Sequence, residues 1–503
     1  MRMLRTGMRG VAGGWLAGWV VIVLVNTALA APQRPNILLI LTDDQGWPTL
    51  GSYGGAHVAT PHLDRLAEEG MRLTDAYVMP QCTPTRASLL TGQHTARNGM
   101  WHVIGWYGYP WAPVGEPTFR EQLSRETFTL AKGLRAAGYA TACIGKWHLT
   151  NNADGHYVHL RQAAATHYGF DVSPDPPHLK YHQEGDKGVG WLTDQAISFM
   201  TERRDEPWFV YLAHHTIHGP VVAPEEIVAR YRDRGAPEEG LFNASYLAAI
   251  ETLDTSVGRL LKAVDESGQR NETLVVFLSD NGGVHEVYDP FQFRAPAGPV
   301  QRLRVTRREY SNAPLRAGKG SPYEGGIRVP CLVRWPGIVE PGSVVSTPVH
   351  VVDWLPTLLA AGRATVPATH AVDGVNLIPL LRGGMLPPRA LYWYLPLYDL
   401  RWGGTPCAVI REGRWKLIHF FGDRVTADGT YAAGEAVELY DLENDLGERR
   451  DLSKTRPEVT ARLIERLDKW MMSIPAERPG PNPHFDPAQS LWETREKPPW
   501  LLP

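Results

Sequence analysis

Residues 82–92, Cys-Thr-Pro-Thr-Arg-Ala-Ser-Leu-Leu-Thr-Gly, place a cysteine just ahead of a helix with an arginine one turn in. Thr83 suits an N-cap, Pro84 suits the first helical position, and Gly92 suits a break after Leu90. Cys82 then lies at the positive end of a helix dipole beside Arg86, a place that favours an anion. Two further pairs, Asp43-Asp44 and Asp280-Asn281, offer only oxygen ligands. Three carboxylates and an amide suit a hard divalent cation; many oxygen donors favour Ca²⁺, with Mg²⁺ the alternative. Lys146, His148, Lys319 and the histidines at 214, 215 and 218 add a cationic set to Arg86. Fixed positive charge beside a metal lowers the barrier for transferring a group whose oxygens share negative charge.

Something must bring these clusters together, and the apolar pattern supplies it. Runs of strand length at 36–41, 141–144, 208–212 and 273–278 alternate with helical stretches such as 62–70 and 130–138, each closed by glycine. Such alternation predicts an α/β fold with a buried, largely parallel sheet flanked by helices. Directly after the four runs come Asp43-Asp44, Lys146-Trp147-His148, His214 to His218, and Asp280-Asn281. Ligands of open α/β sheets bind at the carboxyl ends of strands, so the reactive residues converge on one edge.

The pattern changes after Leu381. Residues 408–411 and 415–418 flank a turn near Gly413, 437–442 read as another strand, and Val459, Leu463, Leu467 and Trp470 mark one helix face. A smaller C-terminal antiparallel sheet plus helix is expected. The divisions predicted are a signal peptide over 1–30, a catalytic domain over 31–385, a C-terminal subdomain over 386–475 and a wrapping tail over 476–503.

The signal peptide rests on Arg2, Arg5 and Arg9, an apolar run from Trp15 to Val25, and Ala28-Leu29-Ala30 before Ala31. That run is short for a membrane span, so an exported protein, periplasmic or secreted, is expected, with no stable span after cleavage. The net charge of −3 gives no reason to expect nucleic acid. Four cysteines are too few for a disulfide scaffold; Cys143 and Cys331 read as buried thiols. Two aromatic and basic stretches, 101–111 and 284–312 (with Tyr288, Phe291, Phe293, Arg302, Arg304, Arg307 and Arg308), are candidate substrate walls.

The segment from Cys82 to Gly92 resembles the C-x-P-S/T-R-x-x-x-x-T-G element of the formylglycine-dependent sulfatases, with Thr85 where serine is commoner. Gly145-Lys146-Trp147-His148-Leu149 is similar to the family's G-K-W-H element, although Thr150 stands where glycine is usual. His215-Thr216-Ile217-His218-Gly219-Pro220 resembles its histidine segment and points to His218. Residues 314–320 with 324–330 match its lysine segment and point to Lys319, leaving Arg316 and Arg328 structural.

The resemblance extends from Pro35 to about Trp470 and implies an alkaline-phosphatase-like fold and a sulfuric ester hydrolase. It implies that a maturation enzyme oxidises Cys82 to formylglycine, and that Asp43, Asp44, Asp280 and Asn281, with the modified Cys82 as a further ligand, hold the cation against the substrate sulfate. In this scheme a hydroxyl of the formylglycine hydrate, polarised by the cation and Arg86, attacks sulfur. Lys319 and His218 steady the sulfate and protonate the leaving oxygen; His148 then takes a proton so that sulfate departs, while Lys146 holds the oxygens. A sulfated carbohydrate or aryl sulfate is the expected substrate. The competing expectations are a phosphonate or phosphate ester hydrolase of the same superfamily and a non-catalytic sulfoglycan-binding protein.

Overall fold

β1 (Asn36–Thr42) is buried along its whole length, and a strand covered on both faces belongs inside a sheet. A computed structural model describes residues 34–104, 109–150, 162–178, 180–289 and 300–486 and places it there. The sheet also contains β2 (Met71–Leu73), β3 (Ala140–Gly145), β4 (Trp208–Ala213), β5 (Thr273–Ser279), β6 (Cys331–Arg334) and β7 (Ser343–Val345). Their order is β7-β2-β6-β5-β1-β4-β3. β5, β1, β4 and β3 run parallel, while β6 is antiparallel to both its neighbours. The four apolar runs are therefore the four contiguous parallel strands.

Alternate residues of β1 feed two cores. The helices are α1 (Pro61–Glu68), α2 (Cys82–Thr91), α3 (Leu130–Ala136), α4 (Val189–Glu202), α5 (Ala244–Glu266) and α6 (Pro457–Met472). Ile37, Leu39 and Leu41 belong to the core that takes Leu89 and Leu90 of α2 and Leu134 of α3. Leu38 and Ile40 belong to the opposite core, with Leu63 of α1, Leu192 of α4 and Leu260 of α5. Each fully buried leucine contributes about 2 kcal/mol.

A second sheet, β8 (Ala390–Leu395), β9 (Cys407–Glu412), β10 (Trp415–Phe420) and β11 (Ala436–Asp441), is antiparallel throughout. One face packs on Leu463 and Leu467 of α6. Its other face, through Trp393, Val409 and Ile418, covers Tyr77, Met79, Tyr323 and Ile327, which flank Cys82 and Lys319 in the chain. Charge locks this contact: buried Lys416 of β10 bonds Glu324 at 3.0 Å and Glu448 at 2.8 Å. Arg328 and Arg411 both hold Asp75, at 2.6 and 2.7 Å. Arg316 lies 3.5 Å above the Tyr323 ring and donates to the Tyr440 hydroxyl.

All four cysteines are buried free thiols, Cys143 in β3 and Cys331 in β6. Gly480–Pro481 pairs with Val114–Gly115 and Asn482 donates to Pro110 O and Ala112 O, so the start of the expected tail lies along residues 110–115. The expected signal peptide and residues 487–503 lie outside the described residues. Among the described residues no helix is long and apolar enough to cross a membrane.

His94 and His350 form a buried pair, ring centroids 5.0 Å apart, and the His350 ring caps its own segment by accepting from Val352 N. Burial pushes both below the ordinary 6.5. The unfolded chain therefore binds protons here that the fold refuses, and stability falls as pH drops below about 6.5. Melting temperatures measured from pH 7.5 to 5 are expected to decline, and His350→Asn, which keeps a cap without titrating, is expected to decline less.

Candidate active site

The end of β1 carries Asp43 and Asp44, and the end of β5 carries Asp280 and Asn281. Because β1 and β5 are paired in parallel, with Thr42 opposite Ser279, the two pairs emerge side by side. Ser279 ties the loops together: its hydroxyl accepts from Gln45 N and donates to Asn281 O, both at 2.9 Å. Asp44 holds a left-handed backbone, φ 61°, of the kind that collects at functional sites. β3 ends at Gly145, φ 104°, where an added Cβ would stand 2.0 Å from Ala213 O. Only glycine lets the chain turn there and deliver Lys146 to the same edge.

α2 begins two residues earlier than the sequence suggests. Cys82 is its first residue and Gln81 its N-cap, because Thr85 N already bonds Gln81 O at 3.1 Å. Pro84 falls third in the helix, where its missing N–H is still one of the unbonded first-turn positions. Thr83 caps nothing; its hydroxyl donates to His148 O at 3.1 Å. Thr85 bonds both N and O of Met79 through its hydroxyl, at 3.0 Å each, and so fixes the approach to the helix. The break at Gly92 stands, with φ 65°.

Six buried charges interlock at the sheet edge. Arg86 donates to Asp280 Oδ2 from Nε at 3.1 Å and from Nη2 at 2.6 Å, and its Nη1 reaches Lys146 O at 2.9 Å. Lys146 Nζ lies 2.5 Å from Asp43 Oδ2, and Lys319 Nζ lies 2.7 Å from Asp44 Oδ1. Burial alone would raise the Asp43 carboxyl, but Lys146, His218, Arg86 and Lys319 hold it well below its ordinary value. Asp280 behaves in the opposite way: burial and the neighbouring Asp43 push it up to about 7 despite Arg86. Carboxylates crowded in this way call for another cation.

Of the oxygens of the two acidic pairs, Asp43 Oδ1 and Asn281 Oδ1 have no hydrogen-bond donor among the described residues. The Asn281 amide nitrogen donates to Asp44 Oδ1 at 2.7 Å and Gly282 O at 2.9 Å, which leaves its carbonyl oxygen as the free end. Orphaned acceptors beside two further carboxylates are what a hard cation fits. Ligand atoms of Asp43, Asp44 and His218 also lie within 4.8 Å of one another. A nitrogen suits such a cation poorly, and the His218 side chain is 41% exposed, so it stands at the open side of the site. Its Nε2 is 4.0 Å from Asp44 Oδ2, and its Nδ1 is 2.7 Å from Gly219 O.

Cys82 Sγ lies 3.4 Å from His148 Nδ1, and the cysteine is 1% exposed. Burial raises its thiol pKa despite Lys146 and Lys319, which works against a nucleophilic thiolate. All the expected site residues, Asp43, Asp44, Cys82, Arg86, Lys146, His148, His218, Lys319, Asp280 and Asn281, thus meet at one edge. His214 and His215 serve the scaffold instead, beside Ser256 and bonded to the Tyr181 hydroxyl at 2.8 Å.

The expected walls divide differently. Arg307 and Arg308 are paired with Glu309 and Glu286, at 2.9 and 2.7 Å, and Trp101 is buried against Tyr394. Residues 105–108 and 290–299, with Phe291 and Phe293, lie outside the described residues. Sequence reading also missed three neighbours of the centre. Lys187 is buried and donates to His182 O and Pro220 O; Asp399 holds the Gln81 side chain; Trp402 has its ring centroid 5.5 Å from Lys319 Nζ. None follows a strand run, so the pattern that exposed the others gave no signal here.

Residues 35–363 match the model of the Sulfatase family, and residues 318–473 match "N-sulphoglucosamine sulphohydrolase, C-terminal". The chain belongs to the sulfatase family. This sulfatase is 33% identical to arylsulfatase A of Homo sapiens over 90% of each chain. It is 30% identical to steryl-sulfatase of Mus musculus, covering 94% of this chain and 86% of that one. A solved structure of Ps i-CgsB in complex with k-i-k-neocarrahexaose superposes with TM-score 0.66 and 26% identity, over 87% of this chain and 93% of that one. The alkaline-phosphatase-like fold and sulfate ester hydrolysis both follow.

The buried Arg86–Asp280 pair generates a direct test. Arg86→Met leaves a buried carboxylate unpaired and is expected to cost about 3–5 kcal/mol in urea unfolding with chelator present. Asp280→Asn on the same background should recover part of that loss, giving a coupling energy of about 2 kcal/mol.

Proposed function

We propose that the sulfatase releases inorganic sulfate from a sulfated carbohydrate, using formylglycine made from Cys82 by a maturation enzyme and a bound Ca²⁺ or Mg²⁺. The observation that carries this reading is the pair of orphaned oxygens, Asp43 Oδ1 and Asn281 Oδ1, inside a cluster whose other buried charges are paired. Asp43, Asp44, Asp280 and Asn281 would hold the cation, which supplies Lewis-acid polarisation of a sulfate oxygen. A formylglycine hydrate supplies the hydroxyl that a buried thiol lacks.

The chain's own residues do the rest. Arg86, locked on Asp280 and Lys146 O, keeps its charge fixed at the first turn of α2. Lys146 and Lys319, each on one aspartate, present ammonium groups for sulfate oxygens without reorganising in the transition state. His148, 3.4 Å from the residue-82 side chain, is placed to take a proton from it. His218, at the open side, is placed to give a proton to the departing sugar oxygen. A carbohydrate is favoured because two relatives, N-acetylgalactosamine-6-sulfatase of Homo sapiens and of Canis lupus familiaris, carry one in their name, and Ps i-CgsB was solved in complex with k-i-k-neocarrahexaose. Export to the periplasm or outside the cell belongs to the same reading, carried by the basic and apolar start of the chain.

Mass spectrometry of the tryptic peptide 73–86, from protein made with a formylglycine-generating enzyme, should find an aldehyde at Cys82. Thiol alone from a competent system would sink the proposal. His218→Ala is expected to lower kcat about 10²-fold on a sugar sulfate. The loss should be much smaller on 4-nitrophenyl sulfate, whose phenolate leaves unprotonated. Chelation should abolish turnover and Ca²⁺ or Mg²⁺ should restore it.

A further inference from the structure

A cavity of about 460 Å³ lies beside the Lys319 segment, large enough for a sugar unit. Its walls come from three places: the loop after Asp280 (His285, Tyr288), the Lys319 segment (Arg316) and the C-terminal region (Trp402, Thr426, Arg449). Trp402 is shared between the cavity and the catalytic centre, since its ring also stands 5.5 Å from Lys319 Nζ. The lining is about equally polar and apolar, with aromatic rings set into it, which suits a pyranose, with C–H faces for the rings and hydroxyls for the polar groups.

Charge narrows the ligand. Glu286, the acid of the lining, is spent on Arg308 at 2.7 Å and on the Tyr288 hydroxyl at 3.0 Å. Arg316 is held rigid by Tyr323, by the Tyr440 hydroxyl and by Glu448 O, with its nearest carboxylate, Glu438, 4.0 Å away. Arg449 is exposed, and among the described residues its guanidinium is paired with no carboxylate. With Arg316 facing Glu438 and Glu286 facing Arg308, Arg449 is the charge the cavity leaves without a carboxylate partner among the described residues.

We propose that this cavity is a second substrate subsite, which takes a neighbouring anionic sugar, sulfated or carboxylated, while the sulfate being cleaved sits at Lys319. The inference rests on the carbohydrate reading above and gives it a length preference: oligosaccharides over monosaccharides and over small aryl sulfates. Arg449 is the specificity residue, and Trp402 is the wall that joins the two subsites.

Two variants, Arg449→Ala and the cavity-filling Ala427→Trp, test it on exposed positions outside the catalytic centre. Probes are 4-nitrophenyl sulfate and a panel of sulfated mono-, di- and tetrasaccharides from chondroitin, heparin and carrageenan. Both variants should keep kcat/KM for 4-nitrophenyl sulfate within about twofold. Each should raise KM roughly tenfold for whichever oligosaccharide the wild type prefers, a charge-assisted hydrogen bond's worth. Calorimetric binding of the same panel to Cys82→Ala protein separates this proposal from the catalytic one. Oligosaccharide binding that depends on Arg449, with no sulfate release by wild-type protein made with a formylglycine-generating enzyme, would overturn only the catalytic reading. Binding or turnover of oligosaccharides untouched by either variant, or a panel in which no oligosaccharide outdoes its monosaccharide, would overturn the subsite.

Discussion

Everything at this sheet edge depends on the mutual neutralisation of charges that could not be buried singly. Moving an isolated carboxylate or ammonium out of water costs several kcal/mol even after the protein relaxes. Here Asp43, Asp44 and Asp280 are buried against Lys146, Lys319 and Arg86, each partner arriving from a different segment. No member can be placed without the others. The cluster is consequently a checkpoint on the fold as well as a catalytic field: three strand ends, one helix start and one long loop must all be correct before the charges balance. The balance is also incomplete by design of the donor set, because two oxygens stay without donors while Asp280 is pushed towards neutrality.

The second sheet has a part in that field without touching it. By covering Tyr77 and Met79 on one approach and Tyr323 and Ile327 on the other, it clamps the two segments that deliver Cys82 and Lys319. Lys416 completes the clamp with Glu324 and Glu448. Gly320 N bonding Pro80 O at 2.8 Å then closes the two segments directly on each other. Two layers of scaffold thus meet at one catalytic wall.

Much of this was legible in the residues. Apolar runs predicted the four parallel strands because a strand buried on both faces leaves few polar positions, and the polar residues that follow such runs had to converge. The start of α2 was misread because capping chemistry at Thr83 looked sufficient, whereas tertiary bonds from Thr83 to His148 and from Thr85 to Met79 claim both hydroxyls. The basic stretch around Arg307 and Arg308 looked like an anion wall, yet acids two and twenty-two positions away take those charges. Lys187, Asp399 and Trp402 left no trace because side chains placed by loops carry no periodicity.

The burial of Cys82 imposes an order of events on the life of the chain. Its sulfur is sealed under a network in which Arg86 is joined to a residue 194 positions downstream. A probe as large as a protein would reach this sulfur only with that downstream strand undocked. Access to this side chain thus closes at a defined point of folding, when β5 docks beside β1.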